Sequence, residues 1–72
     1  MGTIATASGE VEYQWASDVD FDGLRLEVLT ADGDVAFDVS VPDHGDITVN
    51  TFSREVSASL IASAVAVAQT RK

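Results

Sequence analysis

The residues best placed to do chemistry lie in one short acidic segment. Residues 18–23 read Asp-Val-Asp-Phe-Asp-Gly, the opening of a calcium loop in which alternate carboxylates converge and the glycine allows a sharp turn. The rest of the calcium-loop pattern is not matched. Its twelfth position, which needs a bidentate glutamate, is Leu29. Asp18, Asp20 and Asp22 are therefore candidate ligands of a weak Ca²⁺ site. A solvated acidic loop between two strands is the favoured alternative.

Other catalytic groups are scarce. His44 is the one histidine, it lies between Asp43 and Asp46, and the chain has no cysteine. A general base needs a nucleophile or substrate within hydrogen-bond reach, and a metal needs three or four ligands. We therefore expect His44 to be an exposed turn residue. We expect no enzymatic activity and no required cofactor.

The charge balance restricts the class of partner. The 72 residues carry 12 Asp and Glu against four Lys and Arg, a formal charge of −8. Between Asp18 and Asp46 there are nine acids and one cation, Arg25. Because nucleic-acid binding depends on cations that neutralise phosphates, direct binding to nucleic acid or to an anionic membrane is disfavoured. This field favours a basic protein partner or a metal cation.

Apolar and polar residues alternate along segments 10–15, 24–28 and 34–41. A period of two is typical of an antiparallel sheet covered on one face. Asp32-Gly33 predicts a two-residue type I′ hairpin turn. The predicted pairs are Thr30–Val35, Val28–Phe37, Leu26–Val39 and Leu24–Val41.

Ser8-Gly9 is a weaker turn signal of the same kind. It predicts an N-terminal hairpin that pairs Thr6 with Val11 and Ile4 with Tyr13. A further short strand is predicted over Ile47–Thr51. We expect Tyr13 and Trp15 to lie in the core.

The last third of the chain changes to a helical period. Ser53 is the predicted N-cap, with Glu55 in the first turn, and Arg71 and Lys72 suit the C-terminal end of the helix dipole. The sequence therefore predicts a single α+β domain over residues 1–72, with a four- to five-stranded antiparallel β-meander and one C-terminal α-helix packed on one face. The face of this helix that points away from the sheet holds Ala58, Ala62 and Ala66. These small side chains let a second helix approach closely, which favours a homodimer, although exposed alanines are tolerated in any helix.

The exposed sheet face supplies the leading functional hypothesis. The predicted register puts Glu27 directly opposite Asp38, where like charges destabilise the sheet. The predicted partner-binding residues are Glu10, Glu12, Glu27, Asp34 and Asp38. The hypothesis is a non-catalytic module that docks on a basic partner, by analogy with small acidic phage inhibitors of nucleic-acid-handling proteins. The alternative for this face is a solubilising surface, as in salt-adapted proteins. The alternative functions are a weak calcium-binding module through residues 18–23 and a structural homodimer or accessory subunit built on the helix.

Targeting signals are not recognised in the sequence. Residues 1–8 lack the basic and apolar regions of a signal peptide, and the apolar stretch Val56–Ala68 is too short to span a bilayer. We therefore expect a soluble, cytoplasmic protein.

Overall fold

The computed structural model describes residues 2–17 and 23–71, which form one antiparallel sheet and one helix. The elements are β1 (Gly2–Thr6), β2 (Gly9–Ser17), β3 (Gly23–Leu29), β4 (Val35–Pro42), β5 (Thr48–Asn50) and α1 (Ala58–Gln69). The strands lie side by side in chain order, so the sheet is a meander. The predicted α+β architecture is confirmed.

The core lies between α1 and the central strands. The largest fully buried side chains are Phe37, Leu26, Val28 and Val39. From α1, Ala64 and Ala68 are fully buried against this cluster, and Tyr13 and Trp15 pack at its margin, half-buried. Burying one large apolar side chain stabilises a fold by about 1.5–3 kcal/mol, so these four residues dominate the stability of the domain.

The β3–β4 hairpin confirms the predicted pairing of its core residues. Val28 pairs with Phe37, and the pairs Leu26–Val39 and Leu24–Val41 follow in the same register. Because a slip of one residue would move every apolar side chain to the solvent face, the hydrophobic pattern determines this register.

The predicted turn of this hairpin is wrong. The loop has three residues, 31–33, closed by hydrogen bonds from Gly33 N to Thr30 O (3.0 Å) and from Thr30 N to Asp34 O (2.7 Å). Such a loop needs positive φ only at its last residue, and the φ of Gly33 is +89°.

A β-bulge at Ala36 compensates for this loop. The three-residue loop pairs Leu29 with Val35, in place of the predicted Thr30–Val35 pair. Continued without interruption, that register would bring Val28 opposite Ala36 and turn Phe37 away from the core. The register instead shifts by one residue between Leu29 and Val28, so Ala36 is the extra residue and Phe37 stays in the core.

The N-terminal hairpin differs from its predicted register by two residues. Ile4 pairs with Val11, and Thr6 pairs with Gly9, so the turn is Ala7-Ser8. Ile4 nevertheless faces the core and is 5% exposed. A shift of two residues keeps each side chain on its own face, so the hydrophobic pattern does not distinguish the two registers.

The helix begins later than predicted. Ser57 is the N-cap, and its Oγ accepts a hydrogen bond from Leu60 N at 3.4 Å. Ser53 cannot serve as the cap because residues 52 and 53 form a tight turn after β5, with φ values of 55° and 65°. The first turn of α1 therefore contains no acid, and Glu55 lies before the helix. Helix α1 has 12 residues. Within the described part of the chain, no helix is long and apolar enough to cross a membrane.

Candidate functional site

The face of the sheet opposite α1 carries a polar row that crosses four strands. Gln14 on β2 pairs with Glu27 on β3, Glu27 with Asp38 on β4, and Asp38 with Asn50 on β5. Gln14 Nε2 donates a hydrogen bond of 2.7 Å to Glu27 Oε1. We call this surface the open face, because α1 packs on the other side.

At the centre of this row Glu27 and Asp38 lie directly opposite each other, as predicted. Asp38 is 3% exposed, and its Oδ2 receives a 3.3 Å ion pair from Arg25 Nη1. Its Oδ1 is buried without a hydrogen-bond partner. Asp38 therefore contributes negative charge to the open face but almost no contact surface.

The other acids predicted to bind a partner lie in different places. Glu10 and Glu12 are exposed on β2, Glu27 is half-buried, and Asp34 is exposed. Asp34 follows the three-residue loop and closes it, just before β4. The bulge at Ala36 interrupts the alternation that would have placed Asp34 on the face of Asp38. The predicted acidic face is thus divided between the centre of the sheet and its turn end.

A groove at that turn end was not predicted. Strand β2 pairs with β1 through residues 9–13 and with β3 through residues 13–17, so Tyr13 alone pairs on both sides. Between residues 10–12 and the β3–β4 turn a groove of about 370 Å³ opens. Its lining residues are Glu10, Val11, Glu12, Val28, Leu29, Thr30, Ala31, Gly33, Ala36 and Leu60. Apolar–polar alternation could not show it, because a strand alternates in the same way whichever neighbour it pairs with.

The metal candidates fall outside this geometry. Asp18, Asp20 and Asp22 lie outside the described residues, so the Ca²⁺ site stays a prediction. His44 is exposed in the loop after β4, as expected. Within residues 2–17 and 23–71, no group of three Asp, Glu, His or Cys side chains is arranged to hold a metal ion.

The outer arc of α1 is exposed where the sequence placed it. Ala58, Ala62 and Ala66 face solvent, whereas Ala64 and Ala68 face the sheet. Homodimerisation through this stripe stays a prediction. Just beyond the helix, the Arg71 guanidinium carbon lies 4.8 Å from the centroid of the Trp15 ring. This cation–π contact joins Arg71 to β2 and has no signature in the sequence, because the two residues are 56 positions apart.

Comparison of the chain with protein-family models, with curated proteins and with solved structures found no match.

Proposed function

We propose that this protein is a non-catalytic interaction module of the cytoplasm that binds a basic protein surface through the acidic residues of its sheet. A nucleic-acid-handling protein is the partner class with suitable charge, and the module would act on it as an inhibitor by occupying the surface that phosphates bind. The observation that carries the proposal is a sheet face with carboxylates in its polar rows and the helix on the opposite side.

The described cations offset this negative field only in part. Arg25 is engaged by the buried Asp38, Arg71 lies over the Trp15 ring, and Arg54 is exposed after β5. Glu10 and Glu12 stay exposed, and Thr3 Oγ1 donates to Glu10 Oε2 at 3.1 Å. Surface charges of this kind act over about 8–10 Å at physiological salt and are screened as the salt concentration rises. They therefore accelerate and orient association with a cationic partner.

The test is capture of partners from a lysate of the source cells by the tagged protein, with washes at about 50 mM and then about 500 mM salt. A basic protein released between the two washes supports the proposal, once its binding is reproduced with purified components. Glu12→Lys with Glu27→Lys should abolish that binding. Asp43→Lys with Glu55→Lys is the matched control, because it changes the net charge equally at exposed positions outside the five strands.

Asp38 is unsuitable for charge reversal. A lysine there would lie next to Arg25 in a buried position and would destabilise the fold whether or not a partner binds. Binding that survives reversal of Glu12 and Glu27 would contradict the proposal and leave the acids as a solubilising surface.

A further inference from the structure

The groove between β2 and the β3–β4 turn combines two unlike surfaces. Val11, Ala36 and Leu60 supply half-buried apolar lining, and Val28 lies beneath them in the fully buried core. Glu10 and Glu12 line the same groove with carboxylates, and its lining set contains neither lysine nor arginine. A matching ligand has an aliphatic part and a cationic end.

The groove also exposes backbone. Residues 10–12 of β2 pair with β1 on one side, whereas their pairing with β3 stops at the Tyr13–Val28 pair. In an antiparallel sheet, N–H and C=O groups point alternately to the two neighbouring strands. The β2 groups that point away from β1 therefore face the groove, where an extended segment can hydrogen-bond to them.

We propose that this groove binds a lysine side chain presented by an extended basic segment of the partner. The inference rests on the proposed function and assigns its point of attachment. Because side chains of a strand alternate between its two faces, the lysine would lie on the side of Glu10 and Glu12, where its ammonium would reach both carboxylates. The apolar residues before and after it would turn to the other side, toward Val11 and Leu60. Lysine fits better than arginine, because a compact ammonium directs three donors to separate carboxylates, whereas the planar guanidinium suits one carboxylate bidentately.

The size of the groove agrees with this occupant. The volumes of small-ligand pockets range upward from about 300 Å³. A groove of about 370 Å³ therefore accommodates one long side chain and its adjoining backbone. The rest of a protein partner would then lie over the open face, where Glu27 provides further charge.

The experiment uses a defined probe, the blocked peptide acetyl-Ser-Val-Lys-Val-Ser-amide. Its control has norleucine in place of lysine, which keeps the stem and removes the charge. Titration into the ¹⁵N-labelled full chain at low salt should give saturable amide shifts confined to residues 10–12 and 29–31. The norleucine peptide should bind about tenfold more weakly or worse, because it lacks the charge-assisted hydrogen bonds.

Two variants locate the binding site. Ala31→Trp places a large side chain on an exposed turn residue that lines the groove, and Glu12→Gln removes one carboxylate. Both should weaken binding by about tenfold, whereas Glu55→Gln, with the same charge change outside the groove, should not.

The outcomes separate this inference from the proposed function. Shifts centred on Gln14 and Glu27, with wild-type affinity in Ala31→Trp, would overturn the groove as the site and support binding on the open face. Absence of saturable shifts with the peptide, while the captured basic partner still binds in a salt-sensitive manner, would also overturn the groove alone. If the wild-type chain binds neither the peptide nor a basic partner, the two proposals are overturned together.

Discussion

The guanidinium of Arg25 meets the carboxylate of Asp38 diagonally across β3 and β4, with 3.3 Å between Nη1 and Oδ2. Arg25 itself pairs with Ser40, and the residue directly opposite Asp38 is Glu27. Asp38 is thus a buried carboxylate with an acid as its cross-strand neighbour and this guanidinium as its ion-pair partner. Removing the charge of Arg25 should therefore destabilise the protein more than removing the charge of Asp38.

Arg25→Met should lower the free energy of unfolding by about 1–3 kcal/mol, because it leaves a buried carboxylate without its cation, a penalty reduced here by the partial exposure of Arg25. Asp38→Asn should change it by less than about 1 kcal/mol, since the neutral amide also relieves repulsion from Glu27. The double variant should resemble Asp38→Asn. Urea unfolding of the wild type, both single variants and the double variant gives the four free energies of this double-mutant cycle. If the two single changes in free energy of unfolding add up to that of the double variant, the two charges are not coupled.

The position of the helix cap can be tested by two serine substitutions. Ser57→Ala should lower the free energy of unfolding by about 0.5–1 kcal/mol, because the first turn of α1 loses the acceptor for Leu60 N. Ser53→Ala, made at an exposed residue four positions earlier, should change it by less than about 0.5 kcal/mol. Thermal unfolding monitored by circular dichroism compares the two, and the reverse order would place the start of the helix at Ser53.

The bulge predicts an unusual tolerance to deletion. Removing Ala36 should leave a regular hairpin, because Leu29–Val35 and Val28–Phe37 then become consecutive pairs in one register. We expect a folded protein that is less stable by under about 2 kcal/mol, owing to the lost packing of Ala36. Deletion of Glu27 is the control, since it moves Leu26 and Val28 to opposite faces and should prevent folding. Dispersed NMR spectra distinguish the two results.

The alanine stripe makes a prediction about oligomeric state. If α1 mediates a homodimer, Ala62→Glu should convert it to a monomer in sedimentation equilibrium, because the glutamate puts charge into a close helix–helix contact. Gln69→Glu adds the same charge at the exposed end of the helix and should leave the dimer intact. A wild-type chain that sediments as a monomer over the whole concentration range would contradict the dimer itself.

The strand order and the core pairs were predictable because the hydrophobic pattern penalises the alternatives. An error of one residue at Val28 and Phe37 would expose the core, so one register satisfied the pattern. At Ile4 and Val11 an error of two residues left both side chains on the correct face, and no signal opposed it. The turn was misjudged because Gly33 has positive φ both in a type I′ turn and in the three-residue loop.

The candidate site was less predictable than the fold. Alternation treats every residue of the outward face as solvent-exposed, so the burial of Asp38 beneath its neighbours could not be predicted. The groove depends on where β2 changes partner at Tyr13, and that is a property of strand pairing rather than of any residue type. The predicted helix cap was Ser53, whereas the cap is Ser57, also a serine, because Phe52 and Ser53 form a tight turn.

The outermost strand links the acidity of the chain to its colloidal behaviour. Strand β1 is at the edge of the sheet. Charged residues and proline usually prevent edge strands from pairing with a second copy, and β1 contains neither. The net charge of −8 takes their place by keeping two copies apart, and this repulsion disappears as the pH falls toward the isoelectric point of about 4.1. Light scattering should therefore rise near that pH, and Ala5→Lys, which puts a charge on the edge itself, should suppress it. Repulsion between the carboxylates of two copies thus protects an edge strand that has no charged residue of its own.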